Sequence, residues 1–282
     1  MTDSEPSQDR VRSERVWPVG PSASPGGGAA ESDTVIVERA VELVLNGRVL
    51  VRIQCLPERL EDLAVGFLRT EGLIESPREI AECRVAPDGG RVEVRADVDP
   101  DRLVLFRERV AMSSGCGSGA SAAETALPRL ASDARFSPED VLARMKDLLQ
   151  TSVLFRETGG VHAAALTDGR AIRTFAEDIG RHNAVDKAVG AALRQGLDLA
   201  HLAILTTGRA SADIVAKAVR AGIPAVVSRG AATSRAIELG RSADATVVGF
   251  ARGDRMNVYT AAWRFGLAAD ERGARHEEKE SP

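Results

Sequence analysis

A cysteine between two glycines, Gly115-Cys116-Gly117, is the residue of this 282-residue chain best suited to form a transient covalent bond. Glycine neighbours leave its side chain exposed and the adjacent N–H groups uncrowded, and Arg107 and Arg109 stand just upstream. Positive charge and free amides favour the thiolate, which is the nucleophilic form. The surrounding run of small residues, Ala111 to Ser121, buries little surface and reads as a mobile loop. A thiolate on such a loop suits a carrier that accepts a group at one place and delivers it at another. A hydrolytic nucleophile would need a rigid base beside it. The competing reading is an incidental linker cysteine. Cys55 and Cys83 lie in strand-like apolar settings and read as core thiols.

Four further segments mix glycine with ionisable side chains. Glu157-Thr158-Gly159-Gly160-Val161-His162 and Glu177-Asp178-Ile179-Gly180-Arg181-His182-Asn183 flank a predicted hairpin. Glu157, His162 and His182 could support acid–base chemistry, bind a ligand or order the Cys116 loop, with structural hydrogen bonding as the alternative. Their spacing is not that of a zinc site, and no metal is expected. Thr206-Thr207-Gly208-Arg209-Ala210-Ser211 runs from a strand end into a helix. There Gly208 lets backbone approach a ligand and Arg209 can fork onto phosphate oxygens; a capped helix start is the rival reading. Lastly, Phe250-Ala251-Arg252-Gly253-Asp254-Arg255 follows the final parallel strand, at the carboxyl edge where open α/β sheets bind ligands. Arg252 and Arg255 could pair phosphates and Asp254 could accept from a guanine edge, unless the segment is simply a solvated charged loop.

The elements that must position these residues fall into two groups. Around Asn46-Gly47, a pair suited to a type I′ turn, Thr34 to Leu45 and Val49 to Leu56 form a predicted hairpin. A helix with Pro57 in its first turn follows and ends at Gly72. A second hairpin crosses Pro87-Asp88-Gly89-Gly90. Residues 34–110 thus form a small N-terminal α+β domain, and 111–136 the cysteine loop and linker. Over 137–266 the pattern turns α/β: a helix capped by Ser137, a hairpin about Asp168-Gly169, then strands at 202–206, 225–228 and 246–250 alternating with helices. Residues 1–33 and 267–282 read as disordered tails.

Composition narrows the function classes. With 37 Lys and Arg against 41 Asp and Glu the formal charge is −4, which disfavours general nucleic-acid binding. No apolar run reaches the roughly 18 residues of a membrane span, and the first fifteen residues lack the apolar core of a secretory signal. Three cysteines without metal-type spacing point to a reducing cytoplasm.

Taken together, Glu71-Gly72-Leu73-Ile74, Gly115-Cys116-Gly117, Thr158 to Ala164, Glu177 to Lys187, Thr207 to Ser211 and Val248 to Gly253 resemble, in order, the formate dehydrogenase accessory sulfurtransferases of the FdhD/NarQ family. The resemblance implies a cytoplasmic sulfur carrier that receives sulfur from a cysteine desulfurase as a persulfide on Cys116. It would pass that sulfur to the bis-molybdopterin guanine dinucleotide cofactor, held by residues 250–255 with Gly208 and Arg209, before the cofactor enters formate dehydrogenase. It also implies a homodimer and a cytidine-deaminase-like three-layer domain with a mixed, mostly parallel sheet. The deaminase zinc motif is missing, since His162-Ala163-Ala164 lacks the glutamate. Many members carry a second cysteine three residues from the first; here Ser113 and Gly119 occupy those places, so a single-cysteine relay is what survives. A non-catalytic chaperone of the molybdenum cofactor is the alternative from another class.

Overall fold

A computed structural model describes residues 10–18, 30–114 and 127–267, and it is built around two sheets joined by a pair of crossing helices. The chain opens with an antiparallel pair, β1 (Val11–Val16) and β2 (Glu31–Ile36), where the sequence predicts part of a tail. Val11 and Ile36 pack onto Leu56, Leu154 and Val161, and that apolar contact gives the segment a place to fold against.

The first sheet is built from two hairpins. β3 (Arg39–Leu45) and β4 (Arg48–Cys55) pair across Asn46-Gly47, whose φ angles of 50° and 79° are the positive values a type I′ turn demands. Strands β5 (Ile80–Val85) and β6 (Arg91–Ala96) form the second hairpin, and β6 lies parallel to β3, giving the order β4-β3-β6-β5. Helix α1 (Leu60–Thr70) covers this sheet with Leu60, Leu63, Ala64 and Leu68. It starts three residues later than Pro57 suggests, because Arg59 adopts a left-handed φ of 52° and breaks the helical path. A helix not foreseen in the sequence, α2 (Pro100–Ser114), follows β6, so residues 111–114 are helical rather than loop.

The second sheet has the order β12-β11-β10-β9-β7-β8. Helix α3 (Pro138–Thr151) begins where Ser137 accepts from Asp140 N–H, as the sequence predicts, and the short α4 (Val153–Thr158) follows it. Then come β7 (His162–Thr167), β8 (Ile172–Asp178), α5 (Arg181–Arg194), β9 (Ala203–Thr206), α6 (Ala212–Ala221), β10 (Ala225–Ser228), α7 (Ser234–Ala243), β11 (Thr246–Arg252) and β12 (Arg255–Val258). Only β9-β10 and β10-β11 pair in parallel; the other three pairings are antiparallel, which corrects the mostly parallel sheet expected. Two pairings make the difference: β12 folds back on β11 as a hairpin, and β7 rather than β8 sits beside β9 and runs against it. Alternate residues face α5, α6 and α7 on one side and α3 on the other, so the layering is helix, sheet, helix.

The two sheets meet through α1 against α5. Gly66 and Gly190 lie at the crossing, where a Cβ on Gly66 would sit 1.7 Å from the Asp186 carbonyl oxygen and one on Gly190 1.9 Å from that of Asp62. Beside it, Lys187 Nζ donates to Asp178 (2.7 Å) and to the Leu56 carbonyl (2.9 Å), tying the end of β4 to α5. Among the described residues no helix is long and apolar enough to cross a membrane.

Candidate functional site

Because β9, β10 and β11 are parallel, the loops after them share one edge of the sheet. β7 runs the other way and brings its first residue, His162, to that edge; Asp178 of β8 lies opposite, and α5 begins three residues on. Hydrogen bonds lace the three loops together. Arg229 N donates to Thr206 O (2.9 Å), Ser228 Oγ to Gly208 O (2.5 Å), Phe250 N to Gly230 O (2.7 Å) and Arg252 Nε to Arg229 O (2.7 Å). Arg209, Arg229 and Arg252 are exposed there, and the Arg252 guanidinium stands 5.6 Å from the centre of the Phe250 ring.

Gly208 is set against the Arg181 side chain so closely that a Cβ would lie 2.9 Å from Arg181 Cβ. Arg181 in turn shapes both histidines. Burial, reinforced by the Arg181 charge, holds His162 below the usual histidine range and depresses His182 from 6.5 to about 4. Both are therefore neutral at pH 7. His162 Nδ1 is 3.4 Å from Thr207 Oγ1, and His182 Nε2 is 4.0 Å from Asp213.

The depressed His182 has a measurable sign. The unfolded chain binds its proton below about 6.5 and the folded chain only below about 4, so this residue makes stability rise with pH through that window. The parent protein is expected to gain stability on His182→Asn between pH 6.5 and 4, with the difference flat above 7. Urea unfolding at a series of pH values reads this, and a difference independent of pH would contradict the burial of the ring.

A cavity of about 380 Å³ opens on the other side of His182, between β4, α1, α2, α5 and α6. Val51, Ile53, Phe67 and Phe106 form an apolar wall, and Glu71, Asp186, Lys217 and Arg220 a charged one. Lys217 Nζ donates to Asp186 (2.9 Å), Glu71 (2.8 Å) and Thr70 Oγ1 (3.0 Å), and lies 5.2 Å from the Phe67 ring centre. Burial pushes Asp186 up to about 6 against the pull of Lys217, while Glu71 is held low because Lys217, Arg220 and Arg109 together outweigh its burial.

The residues singled out in the sequence divide accordingly. Gly208, Arg209, Phe250 and Arg252 come together. Gly253, Asp254 and Arg255 lie exposed at and beside the β11–β12 turn, while Ala251 is buried in the core behind the edge and offers only its backbone. Glu157 is exposed on α4. The neighbouring acid Glu177 is structural, accepting from Ser152 Oγ (2.5 Å) and Phe155 N (3.2 Å). Asp178, Asn183 and Lys187 also serve the fold. Arg109 is buried and paired with Glu71, so its charge is already compensated, whereas Arg107 is exposed. Cys116 lies outside the described residues. Burial raises Cys55 to about 12 and Cys83 to about 11, which leaves both as inert thiols. Sequence reasoning missed Arg229 and Gly230. The signal was present: each parallel strand ends in or leads into an arginine next to a glycine, Gly208-Arg209, Arg229-Gly230 and Arg252-Gly253.

The family model that matches this chain, over residues 36–266, is that of the FdhD/NarQ family. The chain belongs to the FdhD/NarQ family. Among its relatives, the sulfur carrier protein FdhD of Wolinella succinogenes is 38% identical over 248 residues, covering 86% of each chain. The protein of the same name from Bacillus subtilis is 37% identical over 238 residues, covering 81% of this chain and 88% of its own. A crystal structure from Desulfotalea psychrophila, named provisionally as a formate dehydrogenase accessory protein, is similar with a TM-score of 0.74 at 29% identity. That match covers 90% of this chain and 99% of the other.

Proposed function

We propose that this FdhD/NarQ chain is a cytoplasmic sulfur carrier for formate dehydrogenase maturation, loaded by a cysteine desulfurase on Cys116 and unloaded onto the bis-molybdopterin guanine dinucleotide. The loading step balances without an external oxidant. The Cys116 thiolate attacks the outer sulfur of the donor's persulfide, a new S–S bond forms as the donor's S–S bond breaks, and the donor cysteine leaves as thiolate. The cofactor is the cargo of this reading, not a resident group. We read the helix–sheet–helix layering as cytidine-deaminase-like and the working form as a homodimer, both on the family resemblance.

The observation that carries the reading is the carboxyl edge with its three arginines and the Phe250 ring. A diphosphate needs forked, permanently charged donors, and a guanine base offers a flat face to stack on an aromatic ring or a guanidinium. Arg209 and Arg229, on the loops after β9 and β10, and Phe250 and Arg252, at the end of β11, supply both and are tied together through one another's backbone. With guanosine diphosphate as probe, Arg252→Ala is expected to weaken binding about tenfold, the loss of one charge-assisted contact. Affinity equal to that of the parent would remove the edge from the cofactor site.

Labelled cysteine and a desulfurase test the carrier step. The parent is expected to take label on the Cys116 peptide and Cys116→Ala to take none. If Cys116→Ala supports formate dehydrogenase maturation as well as the parent does, the protein is a cofactor chaperone instead.

A further inference from the structure

Helix α2 ends at Ser114, two residues before Cys116, so its last turns set where the thiol-bearing segment leaves the fold. The helix is weakly held by apolar contact. Val104 and Leu105 are about half exposed, at 51% and 47%, and Phe106, edge-on to Phe67 at 5.9 Å, is its fully buried apolar residue. Polar anchors do the rest. Arg102 pairs with Glu75 near the start of the helix. One helical face further on, Arg109 is buried, donates from Nη2 to the Glu71 carbonyl at 2.6 Å, and lies 3.6 Å from the Glu71 carboxylate.

Glu71 is more than a partner for one arginine. Its carboxylate also meets Lys217 at 2.8 Å and Arg220 at 3.9 Å on α6, and Lys217 holds Asp186 on α5. The first turns of α5 and α6 border the carboxyl edge, through Arg181 and His182 on one helix and Asp213 on the other. A single buried carboxylate thus ties the helix that leads to Cys116 to the two helices that flank the proposed ligand edge. This is the part of the Glu71-Gly72-Leu73-Ile74 motif that neither the core nor the edge accounts for.

We infer that the Arg109–Glu71 pair is a positioning device for sulfur transfer, fixing where the chain continues from α2 towards Cys116 and so how the thiol meets the donor's persulfide; the inference rests on the carrier reading above. Transfer between sulfur atoms needs approach to about 3–3.5 Å, and an error near 1 Å costs up to about a hundredfold in rate. Arginine suits the task because its permanently charged guanidinium reaches the Glu71 carbonyl through Nη2 while keeping its charge beside the Glu71 carboxylate, which a lysine reproduces only in part.

The test uses the full-length protein, a cysteine desulfurase and labelled cysteine. Arg109→Ala and Glu71→Gln are expected to load Cys116 at least tenfold more slowly at saturating desulfurase, with the half-saturating concentration unchanged. Arg109→Lys should recover part of the rate. Two readouts should stay at the parental value: alkylation of Cys116 by iodoacetamide, which needs no docking geometry, and binding of guanosine diphosphate. Should Arg109→Ala fail to fold, Arg109→Gln, which keeps the stem and a donor, takes its place in the series. Loading of the alanine or glutamine variant at the parental rate overturns the inference, as does a parallel fall in alkylation, which would make Arg109 a modifier of the thiol itself. A parent that takes up no sulfur while binding guanosine diphosphate overturns the carrier reading, and the positioning role with it.

Discussion

Gly190→Ala is expected to destabilise the protein by about 3 kcal/mol or more, at the upper end of what overpacking a well-filled contact costs. The added methyl would sit 1.9 Å from the Asp62 carbonyl oxygen and 2.8 Å from the Gly66 nitrogen, all of it backbone that no rotamer change can move. Gly66→Ala is expected to cost a similar amount for the mirror-image reason, its Cβ meeting the Asp186 carbonyl. Relief requires α1 and α5 to separate, and once one methyl has forced them apart a second adds little. The double variant should therefore lose much less than the two single losses together. Urea midpoints followed by circular dichroism measure all three. Parental stability in either single variant would mean that the two helices do not cross at these glycines. The separation would also carry function, because α1 holds Glu71 and α5 opens with Arg181 and His182.

Lys187→Met is the second substitution with a large expected effect. The ammonium is 1% exposed and its partner carboxylate, on Asp178, fully buried. Asp178 also accepts from Leu56 N, Gly180 N and Asn183 Nδ2, so removing the lysine leaves a carboxylate surrounded by protein with its counter-charge gone. Breaking such a pair from one side costs about 3–5 kcal/mol. Asp178→Asn in the same protein removes the stranded charge, and the double variant is expected to regain part of the loss. If Lys187→Met unfolds at the parental denaturant concentration, the pair contributes nothing to holding β4 against α5.

How much was legible in advance varied with the kind of information each element carries. The Asn46-Gly47 turn, the Ser137 cap and the alternation of strands and helices after residue 200 rest on local chemistry, and they appear in the structure at the predicted places. Helix α2 did not show itself because its inward face includes Arg109 while Val104 and Leu105 are half exposed, so the apolar spacing is scrambled. The β1–β2 pair was hidden for a different reason. Its strands are polar and mostly exposed, and their partner surface of Leu56, Leu154 and Val161 is assembled from three distant parts of the chain.

The family, the single reactive-cysteine candidate and the Gly208-Arg209 and Arg252-Gly253 steps were read from residue order, because each depends on what neighbours along the chain can do locally. Which ionisable groups face a ligand and which hold the fold was decided only in three dimensions. Within Glu177 to Lys187, the end of β8 and the start of α5 send Asp178, Asn183 and Lys187 to the β4 junction, Asp186 to Lys217, and Arg181 and His182 to the edge. A buried charge takes its role from the partner that compensates it: Asp178 for Lys187, within the same motif but on a different element, and Lys217 for Asp186, 31 residues on.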